Sequence, residues 1–158
     1  MAMEPWVLAV GADDAGVDLK RAIVAALQDD PRLAGVLDHG VKDRSDSSAY
    51  PDIGIAVAET VARGEARRGL LVCGTGIGMA ISANKVPGIR ATVAHDAYSV
   101  ERSVLSNNCQ VLTLGARVIG TELAIRLVRE WLGYEFDETS ASAGKVARIT
   151  AYEERKED

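Results

Sequence analysis

Leu70-Leu-Val-Cys73-Gly-Thr-Gly-Ile-Gly78-Met-Ala-Ile81 is an apolar run that ends in a cysteine and three alternating glycines before apolar residues resume. A short apolar run closed by glycine reads as a buried strand. The glycines let the backbone approach a ligand closely, so that successive N–H groups point at one anion with the positive end of a following helix behind them. Strand, glycine loop and helix together make one unit of an α/β sheet. The spacing is not the dinucleotide fingerprint GxGxxG, because Met79 stands where the third glycine belongs, and no GxxxxGK[ST] occurs. Taken alone, the stretch fits a glycine-rich turn with a small buried cysteine equally well.

Outward from this unit the same alternation repeats. Apolar runs of strand length lie at residues 6–10, 36–37, 89–93 and 111–114. Between them come helical stripes at Leu19, Ile23 and Leu27, at Ile53, Val57 and Val61, and at Leu123, Leu127 and Trp131. Parallel strands need crossover helices, and those helices cover both faces of the sheet. The order therefore predicts a single-domain, three-layer α/β/α fold of Rossmann-like type with a five-stranded parallel sheet over residues 1–158. Residues 136–142 read as a loop and cap, and residues 145–156 as an exposed final helix, so that 140–158 is expected to dock on a partner subunit or on the sheet edge. Ligands of such sheets lie beyond the carboxyl ends of the strands, here residues 11–16, 39–51, 73–78, 95–99 and 115–120.

The 158 residues suit one domain, and 47% hydrophobic content is enough for a core. Eighteen basic and 23 acidic side chains leave a net charge of −5, which lacks the footprint of a nucleic-acid binder, so an anionic ligand must be held locally. Aromatics at 4% provide no stacking platform. No apolar run approaches the roughly 20 residues that span a bilayer. The start, MAMEPWVLAV, carries acidic Glu4 and reads as a first strand in place of a signal peptide, which makes the cytoplasm the default compartment. Cys73 and Cys109 form no CxxC pair and are expected as free thiols, Cys109 as a small core residue. His39, beside Lys42, Asp43 and Arg44, and the charged run 153–158 read as solvated.

Several further motifs occur in order: Gly11-Ala-Asp13, Tyr50-Pro-Asp52, Ala83-Asn-Lys-Val-Pro-Gly-Ile-Arg90-Ala, Asn107-Asn108 and Leu114-Gly-Ala-Arg117-Val-Ile-Gly120. With the Cys73 loop, they make the chain resemble the ribose-5-phosphate isomerase B family, which includes the galactose-6-phosphate isomerase subunits. The resemblance covers almost the whole chain. It implies aldose–ketose isomerisation of a phosphorylated sugar, with no metal and no cofactor, in a homodimer or dimer of dimers whose active sites lie between subunits. By position it implies Cys73 as the base that moves a proton between C1 and C2, and the amides of Gly74, Gly76, Ile77 and Gly78 as donors to the cis-enediolate. Thr75 would orient the thiol, Asp13 would hold sugar hydroxyls, and Asn107 would approach the reacting oxygens from the other subunit. Read from the residues alone, Asp13 is a respectable helix N-cap and Asn107 a helix C-cap.

The chain also departs from the family's pattern. Asp14 stands where ribose enzymes carry a histidine, and Ser106 stands where the family places its ring-opening histidine. The C-terminal phosphate arginines are replaced by Ser140-Ala-Ser142-Ala-Gly-Lys145, which leaves Ser142, Lys145 and Arg117 for the phosphate. A tetrose 4-phosphate has its O4 esterified, cannot close a furanose and needs no ring opener. The expected substrate pair is therefore D-erythrulose 4-phosphate and D-erythrose 4-phosphate. A branch of the family implied in erythritol breakdown resembles this chain at Ala94-His-Asp-Ala-Tyr-Ser99 and Ser140-Ala-Ser142. Two alternatives stand beside it. One is ribose 5-phosphate isomerisation with His95 as the acid, against a plain loop histidine; the other is a sugar-phosphate-binding protein without catalysis. A thiol redox role lacks a resolving cysteine near Cys73.

Overall fold

A computed structural model describes residues 3–155. Five strands, β1 (Trp6–Ala12), β2 (Leu33–Asp38), β3 (Arg68–Cys73), β4 (Ala91–Val93) and β5 (Val111–Gly115), form one parallel sheet in the order β2-β1-β3-β5-β4. They alternate with α1 (Val17–Ala26), α2 (Tyr50–Ala62), α3 (Ile77–Ala83), α4 (Ala97–Leu105) and α5 (Thr121–Trp131), and α6 (Ala143–Glu154) follows. This is the α/β/α domain expected from the alternation. Among the described residues no helix is long and apolar enough to cross a membrane.

The two-residue period of the central strands divides the core. Leu8, Val10, Leu70, Val72, Leu112 and Leu114 face one layer, where they meet Leu19 and Ile23 of α1, Val100 of α4 and Leu127 and Trp131 of α5. Ala9, Leu71, Cys73 and Val111 face the other, against Val57 of α2 and Met79 of α3. Each fully buried Leu or Val contributes roughly 1.5–3 kcal/mol relative to exposure. Both faces are covered, which is why β3 is buried along its whole length. The β2 edge strand is instead largely exposed.

At the amino ends of the strands, Arg68 is buried against the rings of Trp6 and Trp131 and donates to the carbonyls of Trp131 and Tyr134. Desolvation pushes its pKa down to about 10. It fixes the carboxyl end of α5 to the start of β3. Glu135, in the segment leading to α6, pairs with neighbouring Arg67 at 2.6 Å. Of α6 only Val146 is buried.

Several boundaries differ from the sequence expectation. The run 89–93 shortens to Ala91–Val93, because Gly88 takes a left-handed φ of 82° and the Ile89 N–H closes a turn on Val86 O at 3.1 Å. Residues 97–99 open a helix that the polar reading of 95–99 did not foresee. Asp96 caps that helix by accepting the Ser99 N–H at 2.7 Å. The final helix starts at Ala143, two residues early, and Lys156, its expected end, lies outside the described residues. Leu123, counted in an apolar stripe, is 47% exposed; Ala124, Leu127, Val128 and Trp131 form the true buried face of α5.

That correction has a measurable form. Leu127→Ala should lower unfolding free energy by about 2–5 kcal/mol in urea titrations, as truncations of buried leucines do. Leu123→Ala should stay within about 0.5 kcal/mol of the parent.

Candidate active site

In the order β2-β1-β3-β5-β4 the connections from β1 and β3 leave to opposite sides, so a crevice opens beyond their carboxyl ends. Ala12 pairs with Val72 and Cys73 with Gly115, which sets Asp13, Cys73 and Gly115 at one level across three neighbouring strands. The loop after β3 is the centre of this level.

Cys73 points toward the α2–α3 layer and is buried. Its Sγ accepts the Gly76 N–H at 3.1 Å, and the Thr75 Oγ1 accepts the Ile77 N–H at 3.2 Å. Gly76 has φ 80°, a left-handed conformation that glycine adopts without penalty, and the Thr113 hydroxyl holds its carbonyl at 2.8 Å. The turn leaves the N–H groups of Gly74 and Thr75 without partners among the described residues. The amide of Gly78 lies in the first turn of α3, where N–H groups lack intrahelical acceptors. One amide thus meets the sulfur, and the neighbouring amides of Gly74, Thr75 and Gly78 lie in the same short loop. Tyr50 lies across Gly78, its Cζ 2.6 Å from where a β-carbon would sit, so only glycine fits beneath the ring. The Tyr50-Pro-Asp motif carried the signal for this residue, but no chemistry in the sequence tied its ring to Gly78.

Asp13 follows β1 and uses Oδ1 to accept the Gly16 N–H at 3.0 Å, while Gly16 itself is the N-cap of α1. Asp13 is therefore not the N-cap that its residue type suggested but closes the turn before it, and no hydrogen bond engages its Oδ2 among the described residues. Asp14 is exposed and lines a cleft with Arg117. The Arg117 N–H donates to Gly74 O at 3.0 Å, and its guanidinium lies 3.2 Å from the β-carbon position of Gly74. No ion pair or side-chain hydrogen bond engages that guanidinium among the described residues.

His95 follows β4, two strands from β3, but its ring reaches back to Gly115, the residue paired with Cys73. Its Nε2 accepts the Gly115 N–H at 2.8 Å, which requires an unprotonated Nε2 and places the proton of the neutral ring on Nδ1. Burial lowers its pKa from the ordinary histidine value, against a smaller upward pull from Asp96.

Other expected residues lie elsewhere in the chain. Asn107 donates from Nδ2 to Arg102 O at 3.0 Å, closing the end of α4, and it lines a separate cavity with Arg90, Ile149 and Glu153. Ser106 accepts from Arg102 at 3.3 Å. Ser142 is the N-cap of α6 with no side-chain cap bond, and neither it nor Lys145 shares the Arg117 cleft. A single chain therefore joins Asp13, Asp14, Cys73, Thr75, Gly74, Gly76, Ile77, Gly78, Arg117 and, through Gly115, His95, but not Asn107, Ser142 or Lys145. His39 is exposed yet tied, with Nε2 3.0 Å from the Thr60 hydroxyl. Cys109 is buried as expected, and desolvation raises its pKa to about 11.

The sequence matches the ribose/galactose isomerase family over residues 8–149. It is 59% identical to D-erythrulose-4-phosphate isomerase 2 of Mycolicibacterium smegmatis over 92% of this chain and 96% of the relative. It is 46% identical to D-erythrulose-4-phosphate isomerase of Pectobacterium atrosepticum, covering 94% and 96%. The solved structure of Clostridium thermocellum ribose-5-phosphate isomerase B superposes with a TM-score of 0.88 at 40% identity, covering 95% and 99%.

The His95 geometry has a direct spectroscopic consequence. Long-range proton–nitrogen correlation should find the Nδ1–H tautomer, still neutral at pH values where a free imidazole is half protonated. Because the folded pKa is depressed, its contribution to stability is present above the unfolded pKa and is lost as pH falls through the folded one. An Nε2–H tautomer or a normal titration would contradict the assignment.

Proposed function

The chain belongs to the ribose/galactose isomerase family and is an aldose–ketose isomerase of sugar phosphates; on that premise we propose that it interconverts D-erythrulose 4-phosphate and D-erythrose 4-phosphate through a cis-enediolate. The observation that carries the reading is a thiol heading a glycine loop whose Gly74 and Thr75 amides lack partners among the described residues, with the nearby His95 Nε2 taken up by the Gly115 amide.

In the ketose-to-aldose direction the Cys73 thiolate takes a proton from C1. The electrons of the broken C–H bond form the C1–C2 double bond, and the C2 carbonyl pair moves onto oxygen. Negative charge then develops where the Gly74, Thr75 and Gly78 amides point, and preorganised donors at that place lower the barrier most. A proton passes from O1 to O2, the thiol exchanges its proton with solvent while the enediolate stands and then protonates C2, and the carbonyl re-forms at C1. No atom is gained or lost. The Asp13 Oδ2 holds a sugar hydroxyl, the Thr75 hydroxyl helps to set the loop, and Arg117 attracts the phosphate.

The tetrose preference follows from what the side chains are already doing. Ring opening of a furanose needs an acid and a base at the ring oxygen. The His95 Nε2 is occupied by the Gly115 amide, Ser106 occupies the usual position of the opener, and Asp14 lacks an imidazole. An acyclic tetrose 4-phosphate makes no such demand. Relatives named for erythrulose 4-phosphate support the same choice.

A second copy of the chain would complete the site. Asn107, Ser142 and Lys145 do not reach Cys73 within one chain, while Ile77 and Ile81 leave apolar side chains exposed on α3 beside the catalytic loop. Ile149 does the same on α6, which fits residues 140–158 docking at a subunit interface.

Two measurements test this function. Cys73→Ala should lower kcat by about 10²–10⁴-fold, the range for removal of a general base, while the protein remains folded. Full activity in that variant would remove the mechanism. In a coupled assay across tetrose, pentose and hexose phosphates, erythrulose 4-phosphate should show the highest kcat/KM, and a clear lead for ribose 5-phosphate would overturn the substrate assignment.

A further inference from the structure

One cleft has a cationic wall that the chemistry above uses only in part. It measures about 710 Å3, opens beyond the carboxyl ends of β1 and β5, and is lined by Asp14, Asp18, Arg44, Arg117 and Thr121 among others. Arg117 separates it from the Cys73 loop by lying over Gly74. A substrate that presents C1 and C2 to Cys73 and its far end to Arg117 brings its phosphate to this cleft. A phosphate dianion is best held by more than one charged, forked donor. The second guanidinium in the cleft is that of Arg44, from the loop between β2 and α2.

Arg44 is held in place but lightly engaged. Its Nε and Nη2 both reach Asp18 Oδ2 at 2.7 Å, which leaves Nη1 without a partner among the described residues. The pair is exposed on both sides, and exposed pairs hold weakly. Asp18 also has Arg21 at 3.9 Å, so its carboxylate keeps a cation nearby when Arg44 leaves. The loop is anchored on either side of Arg44. Val41 is buried and its N–H donates to Ala12 O at 3.0 Å, while Asp43 Oδ1 accepts the Ser45 N–H at 2.8 Å. Without Arg44 the cleft would set the carboxylates of Asp14 and Asp18 against Arg117 alone, a field unfavourable to an anion.

We propose that Arg44 binds the substrate phosphate: its guanidinium transfers from Asp18 to the phosphate and, with Arg117, forms a clamp supplied by the same chain as Cys73. The inference takes its substrate from the isomerase reading above, but the phosphate site can be tested without turnover. Inorganic phosphate is titrated into wild-type protein and Arg44→Ala by calorimetry, and KM and kcat are measured for erythrulose 4-phosphate. Arg44→Ala should weaken inorganic phosphate binding and raise KM by about tenfold or more each, with kcat within about threefold. An unchanged phosphate affinity in a folded Arg44→Ala protein overturns the proposal. If wild-type protein isomerises no sugar phosphate, the isomerase reading fails, and the phosphate titration still decides the role of Arg44.

Discussion

At Gly76 the chain turns through a left-handed backbone conformation, and most of the active-site arrangement depends on that turn. It brings the Gly76 amide back to the Cys73 sulfur and passes the Gly76 carbonyl to the Thr113 hydroxyl on the neighbouring strand. The turn is held from β5, because a β-carbon on Gly115 would meet the Thr75 Cα at 2.6 Å. Backbone and sheet register therefore position the donors that would meet an enediolate. Such donors need no rearrangement as charge develops, which is the condition under which electrostatic catalysis is effective.

The same geometry explains how a chain of net charge −5 can handle a phosphorylated substrate. A net negative chain attracts no anion over long range, but the amides of Gly74 and Thr75 and the guanidinium of Arg117, which have no partners among the described residues, provide local positive potential at the carboxyl ends of β1, β3 and β5. Two of the acidic side chains nearby are engaged, Asp13 with the Gly16 amide and Asp18 with Arg44, while Asp14 stays exposed in the cleft. Global charge and local binding are separable here because the site is built largely from backbone.

Much of this was legible in the sequence. The alternation of apolar runs with helical stripes predicts the layers, and the glycines after Cys73 mark the candidate loop. What could not be read was tertiary. Leu123 and Leu127 are four residues apart and satisfy the same helical period, yet only the second meets the sheet, since the period does not tell where a buried face begins. Arg44 sits in a polar loop with no pattern of its own, and its place beside Arg117 arises from how residues 39–49 fold over β1. The sequence gives His95 no sign of its tertiary partner, the Gly115 amide on its Nε2. Asn107 fits both a C-cap and a catalytic residue by type; within one chain the C-cap of α4 is Ser106, and Asn107 follows it with its side chain on the Arg102 carbonyl.

The central claim is that Cys73 exchanges a substrate proton through an enediolate held by the loop. It is tested most directly by running the isomerisation in deuterium oxide and reading the product carbon next to the carbonyl by NMR. The account requires solvent-derived deuterium at that carbon with wild-type protein and none above background with Cys73→Ala. Product formed at full rate by the wild-type protein without deuterium at that position would contradict it.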